Sequence, residues 1–339
     1  MPPVWLIIGA VALVVLAFLV WVGADVVRAM RPPSFTAHHP FRSPAAQARY
    51  LAHYEARSAH WPWPVALETR SVETAWGSTF MRISGPSEGP PLVLLPGANT
   101  TSLSWNPVIE ALARDHRLYA LDNIHDFGRS INSRPFTTGE DFAAWLDELF
   151  DVLELGDSVR VMGLSYGGWI ASQYALAHPE RVESLVLLAP AATFAEYSPA
   201  FLPRALLVMI PVKATLRSLI RFTLSDLVRF GDPDQHRLLD EAVDDIWTGM
   251  RTFEPRPVVM PVKMSDEQLT ALPRTLVLIG EHEVIYDRPG TEIFAELERK
   301  APAIETELLT GVGHSMHILA PDRVVDRVLP FLDSANSAG

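Results

Sequence analysis

The sequence predicts a doubly wound α/β domain, and three observations predict it. Short apolar strands alternate with amphipathic helices from Ser71 onward, the pattern that right-handed crossovers fold into a mostly parallel sheet. One strand, Val159–Leu164, runs directly into Gly163-Leu164-Ser165-Tyr166-Gly167 and then into a helix. A histidine, His314, follows a glycine-rich turn between the last strand and the last helix.

The first segment in the chain is of another kind. Val4 to Gly23 are twenty residues with no charged or polar side chain. As a helix rising 1.5 Å per residue they span about 30 Å, the thickness of a bilayer's hydrocarbon core. Trp5 and Trp21 lie near the two ends, where indole prefers the headgroup region. Val22-Gly23-Ala24 resembles a signal-peptidase site, but no Lys or Arg precedes the run, and it is longer than a signal-peptide core. Residues 1–31 are therefore expected to be a membrane anchor. Arg28, Arg31 and Arg42 follow the run, which places the rest of the chain on the cytoplasmic side.

Residues 32–70 read as a connector with a short helix from Pro44 to about Ala59. Residues 25–70 hold six Arg against three acids on a chain of net charge −12. His38, His39, His53 and His60 are irregularly spaced, unlike metal ligands, and are expected as solvated surface residues.

From residue 71 to 339 the pattern is that of one domain. Ser71–Thr74 and Ser78–Ile83 flank Gly77 as a hairpin. Leu92–Leu95, Leu118–Leu121, Val159–Leu164 and Ser184–Leu188 are strands. Helices at about Ser104–Asp115, Asp141–Leu155 and Gly168–Ala177 separate them. In Asp141–Leu155 the apolar residues Phe142, Trp145, Leu146, Leu149, Phe150 and Leu153 recur at helical spacing. The alternation breaks near Phe194 and resumes with the strand Thr275–Ile279, leaving an insertion at about 194–263. Helix Thr291–Lys300, strand Ile304–Leu309 and helix Asp322–Leu332 close the domain. The acidic balance argues against a nucleic-acid partner. The absence of cysteine excludes disulfides, thiolate metal sites and a cysteine nucleophile.

A strand, a sharp Gly-x-Ser-x-Gly turn and a helix lift the serine hydroxyl above a sheet edge, with helix N–H groups aimed at the same place. Serine needs a base to take its proton. His314 has the best position among the eleven histidines; His317 is its rival, in a stretch that looks more buried. The acid that orients the ring should leave the preceding strand, where Glu281, Glu283 and Asp287 all stand after Gly280.

Together these residues resemble the α/β-hydrolase superfamily, serine esterase or lipase type with a cap, from about Ser71 to Phe331. The resemblance implies an α/β-hydrolase fold and a triad of Ser165, His314 and Glu283, the last three residues beyond the strand-closing glycine, with Asp287 as the alternative acid. It implies oxyanion donors at the N–H groups of Ala98 and Tyr166; Pro96 stands where the family commonly has His. It implies chemistry without metal or cofactor on a small-molecule or lipid-like ester, with thioesters, other lipids, C–C bonds beside a ketone, or a non-catalytic scaffold as alternatives. Oligomeric state is not legible.

The insertion falls where such a cap sits. Its half from Phe201 to Phe230 pairs apolar residues with Arg204, Lys213, Arg217, Arg221 and Arg229, against Asp226 alone. Contact with anionic lipid and an ordinary amphipathic cap with a solvated basic face both fit that composition.

Overall fold

The computed structural model describes residue 35, residues 38–208, residue 210 and residues 212–334. The expected anchor over residues 1–31 lies outside them. Among the described residues no helix is long and apolar enough to cross a membrane.

Nine strands form one sheet: β1 (Glu68–Thr74), β2 (Gly77–Ser84), β3 (Pro91–Leu95), β4 (Arg117–Leu121), β5 (Ile131–Asn132), β6 (Val159–Leu164), β7 (Val182–Leu188), β8 (Thr275–Gly280) and β9 (Glu305–Leu309). Their order is β1-β2-β4-β3-β6-β7-β8-β9, with β5 paired to β2. The β1–β2 and β2–β4 pairings are antiparallel, and β4 onward along that path is parallel. Strands β6 and β8 are buried along their whole length, as parallel strands covered on both faces must be.

Period-two alternation divides the core. Val93, Leu95 and Val161 face one apolar layer, completed by helices Gly139–Val152, Tyr166–Ala177 and Gly290–Lys300. Leu92, Leu94 and Met162 face the other, completed by helices Asn106–Leu112 and Pro321–Asp333. Several boundaries differ from the sequence reading; the strand read from Ser71 begins at Glu68, and the helix read as Asp141–Leu155 is Gly139–Val152. The helix after Ser165 starts at Tyr166, two residues early, and the expected Ser104–Asp115 helix is a 3-10 turn, Ser102–Trp105, followed by Asn106–Leu112 with Pro107 in its first turn.

The segment between β7 and β8 is helical: Phe201–Leu207, Lys213–Thr223, Ser225–Phe230, Pro233–Thr252 and Asp266–Ala271. Lys213 pairs with Asp244, and Arg217 with Asp240 at 3.5 Å. Part of the basic face thus meets the cap's own acidic helix, which lowers the charge it offers to a surface.

Much of the stretch read as a connector is packed into the body. Helix Pro44–His60 is capped by the Ser43 side chain and buries Tyr50 and Tyr54, four residues apart on one face. These rings join Phe41, Phe80, Phe127 and Phe253 in a third apolar cluster. Arg57 bonds Glu241 at 2.7 Å and Asp245 at 3.0 Å on cap helix Pro233–Thr252. The expectation of solvated histidines fails for two of them: His53 Nε2 lies 2.6 Å from Asp245, and His39 Nε2 lies 2.9 Å from Asn132 Oδ1.

Tyr54 also completes a buried charge network. Asp122 Oδ1 accepts from the Ser102 N–H and hydroxyl at 2.8 and 2.7 Å; its Oδ2 accepts from Tyr54 Oη and Arg129 N–H at 3.0 and 2.9 Å. Arg82 donates to Tyr54 Oη at 2.5 Å and Ser102 Oγ at 2.6 Å. Asp122→Ala would strand all four donors and leave Arg82 uncompensated. It is expected to destabilise the fold by about 3–5 kcal/mol, measured by urea unfolding.

Candidate active site

The register sets the geometry. Leu95 lies beside Gly163, Leu164 beside Leu188, Leu188 beside Leu278 and Gly280 beside Leu309. The carboxyl ends of β3, β6, β7, β8 and β9 are therefore level, and the loops leaving them share one rim. Ser165, Glu283 and His314 stand on the loops after β6, β8 and β9.

Ser165 occupies a sharp turn with φ 52° and ψ −116°, a conformation that costs on the order of 1–3 kcal/mol for a residue with a Cβ. The surroundings over-determine it. Its N–H donates to Leu188 O at 2.9 Å, and its carbonyl accepts from Trp169 and Ala191 N–H at 3.0 and 2.9 Å. Gly167 is required there, because a Cβ at that position would lie 2.1 Å from Leu95 O and 2.4 Å from Pro96 O. The loop after β3 is thus pressed against the start of the Ser165 helix.

That loop is held from below. Pro96 O accepts from Asn123 Nδ2 at 3.0 Å, and Gly97 O accepts from Thr100 Oγ1 at 2.8 Å. Asn99 takes φ 58°, which asparagine tolerates, and its N–H donates to Asp126 Oδ2 at 2.6 Å. Arg256 balances Asp126 at 2.5 Å. The Asn99 N–H is thereby committed to the turn. Ala98 is exposed at the loop tip, beside Gly97, whose ideal Cβ would stand 3.6 Å from Ser165 Cβ. Tyr166 is the first residue of its helix, where the N–H has no intrahelical acceptor.

His314 and Glu283 are in direct contact. His314 Nδ1 lies 2.9 Å from Glu283 Oε2, with both side chains buried. Glu283 Oε1 accepts from the Val284 and Ile285 N–H groups at 2.8 and 3.0 Å. A carboxylate accepts only, so the imidazole proton sits on Nδ1 and Nε2 is left as the basic nitrogen. Burial alone would lower the His314 pKa; the charge and hydrogen bond of Glu283, with the charge of Asp226, outweigh it and raise the pKa above the ordinary imidazole value.

The alternatives are elsewhere. Asp287 is exposed, 4.0 Å from Arg288 Nε, and Glu281 bonds the Gly311 N–H at 2.9 Å. His317 is buried with no partner for Nδ1, and burial, then the charge of His314, lowers its pKa to about 3. It stays neutral near pH 7, and no acid among the described residues bonds its ring. Sequence reasoning missed Asp226, whose buried carboxylate contacts the histidine loop; its one signal was being the lone acid in a basic stretch.

Residues 92–327 match the model of the "Alpha/beta hydrolase family". The chain is similar to carboxylesterase YbfK of Bacillus subtilis (strain 168), 32% identical over 274 residues, 80% of this chain and 89% of that protein. Among solved structures it is similar to naproxen esterase (carboxylesterase NP) from Bacillus subtilis, with TM-score 0.75 and 31% identity over 86% of this chain and 99% of that one. Carboxylesterase CesB (YbfK) from the same organism gives TM-score 0.74 and 30% identity, covering 85% and 98%. With a strained serine elbow, a buried His–Glu pair at the same rim and these relatives along most of its length, the chain belongs to the alpha/beta hydrolase family.

Proposed function

We propose that the protein is a carboxylic ester hydrolase working through a Ser165-His314-Glu283 triad and an acyl-enzyme. The observation that carries this reading is the buried His314–Glu283 pair, 2.9 Å apart, on the rim that also bears the strained Ser165. Similarity to proteins named as carboxylesterases supports the ester as substrate.

In this mechanism Ser165 Oγ attacks the carbonyl carbon as His314 Nε2 takes its proton. Glu283 holds the ring tautomer and stabilises the imidazolium. The N–H groups of Ala98 and Tyr166 meet the developing oxyanion. His314 then protonates the departing alcohol, and a water, deprotonated by the same nitrogen, releases the acid and restores Ser165.

Labelling by a fluorophosphonate probe, wild type beside Ser165→Ala, tests the nucleophile. A panel of short and long acyl esters and thioesters then fixes the substrate class. No labelling of the wild type, with no ester turned over, would end the reading. Because the base must be neutral to act, activity falls as pH drops through the raised His314 pKa. The acid limb of kcat/KM is therefore expected above about 6.5, the ordinary imidazole value, in a pH–rate profile.

For residues 1–31 we propose a single-pass anchor with the hydrolase domain on the cytoplasmic side, on the strength of the apolar run Val4–Gly23 and the arginines after it. Membrane fractionation of the full chain against one lacking 1–31, with protease protection to assign the side, tests both parts.

A further inference from the structure

Asp226 is a fully buried carboxylate on the short cap helix Ser225–Phe230. Its Oδ2 accepts from the N–H groups of Gly313 and Ser315 at 2.7 and 3.1 Å, and its Oδ1 accepts from the Ser315 hydroxyl at 2.6 Å. The two N–H groups flank His314 on either side. Gly313 permits the approach: a Cβ there would stand 3.1 Å from Asp226 Cγ and 2.7 Å from His282 O. The contact sits in a seam, since Phe230 stacks on His282 with ring centroids 5.2 Å apart and Gln235 Nε2 donates to Ile318 O at 3.2 Å. No Lys or Arg among the described residues forms an ion pair with Asp226. Three hydrogen bonds are its compensation, and all three come from the histidine loop.

We propose that Asp226 is a positioning residue for the catalytic base: the cap grips the backbone on both sides of His314 through this one carboxylate, so that seating the cap and aligning the imidazole are a single event. The inference rests on the triad reading above. A tie meant only to fasten the cap has no need to straddle the histidine; this one spans Gly313 to Ser315 and adds a second negative charge that acts on the ring. The other titratable groups facing His314 are Glu283, from the β8 loop, and His317, on the same loop and neutral near pH 7. His282 borders the seam under Phe230.

The test compares wild type, Asp226→Asn and Ser315→Ala in the full chain by kcat, KM, the pH profile of kcat/KM and the urea midpoint. Asp226→Asn keeps the volume and removes the charge. Its kcat should fall about 10–100-fold with KM changed less than about threefold, the scale for losing an outer-shell partner of a site residue, and its acid limb should move to lower pH. Ser315→Ala keeps the charge and both N–H bonds, so kcat should fall less and the acid limb should stay. An Asp226→Asn enzyme that unfolds more readily yet keeps the wild-type kcat and acid limb would reduce Asp226 to a structural tie and overturn the proposal. If that variant fails to fold, Asp226→Glu serves instead, since the longer side chain cannot keep the 2.7 and 3.1 Å contacts to both N–H groups unshifted; a wild-type kcat in that enzyme overturns the proposal. A wild type that neither labels nor turns over esters defeats the triad reading first, and this proposal with it.

Discussion

Ser165→Ala is expected to lower ester turnover by about 10⁶-fold, the loss seen when a triad serine is removed, while the free energy of unfolding in urea stays within about 0.5 kcal/mol of wild type. On the rate side that is about 8 kcal/mol of transition-state stabilisation at 1.36 kcal/mol per decade. The stability half follows from how the elbow is held. Ser165 is fixed by its backbone, through the bonds to Leu188, Trp169 and Ala191, and alanine keeps all three. Both residues carry a Cβ, so the strain at φ 52° is the same before and after. The measurement pairs steady-state kinetics with unfolding of the same preparation. A variant retaining more than about a hundredth of the activity would mean that another group attacks the ester.

The features that make this prediction possible were local in the sequence. The elbow is a contiguous strand–turn–helix signal, and His314 and Glu283 each stand a few residues past a strand that could be read from its apolar run. Their contact was implied by strand order alone, since β8 and β9 are neighbours in the sheet. What could not be read depends on partners far apart in the chain. Tyr50 and Tyr54 show helical spacing, but Phe253, which Tyr50 meets edge-on at 4.7 Å, lies about two hundred residues later, so the segment looked like a connector. Asp226 and Ser315 are 89 positions apart. A short cap helix with one acid among arginines gives no sign that the acid faces inward. Arg82 and Asp122 were equally silent, because hydroxyls bridge them and no charge pattern marks the pair.

Glu283→Gln is expected to cost about 10³–10⁴-fold in kcat, the scale for turning a triad acid into its amide, whereas Asp287→Asn should change kcat less than about threefold. The amide loses the charge that stabilises the imidazolium. It also presents an NH₂ group either to His314 Nδ1 or to the Val284 and Ile285 N–H groups that now donate to Oε1. Facing the donors, the NH₂ leaves two N–H groups unpaired while the amide oxygen keeps the ring tautomer without the charge; facing His314, it drives the ring proton to Nε2 and removes the base. From the sequence alone Asp287 was the fallback acid, and rescue by it would have made Glu283→Gln mild. The structure puts the Asp287 carboxylate in solvent beside Arg288 and ties its N–H to Glu196 O at 3.0 Å, so rescue would require rebuilding that strand-end loop. The pH profile separates the two origins of the loss. Removing the Glu283 charge also lowers the His314 pKa, so the residual Glu283→Gln activity should persist to lower pH than the wild type's. A mild Glu283→Gln beside a crippled Asp287→Asn would reverse the assignment and require a loop conformation other than the one described.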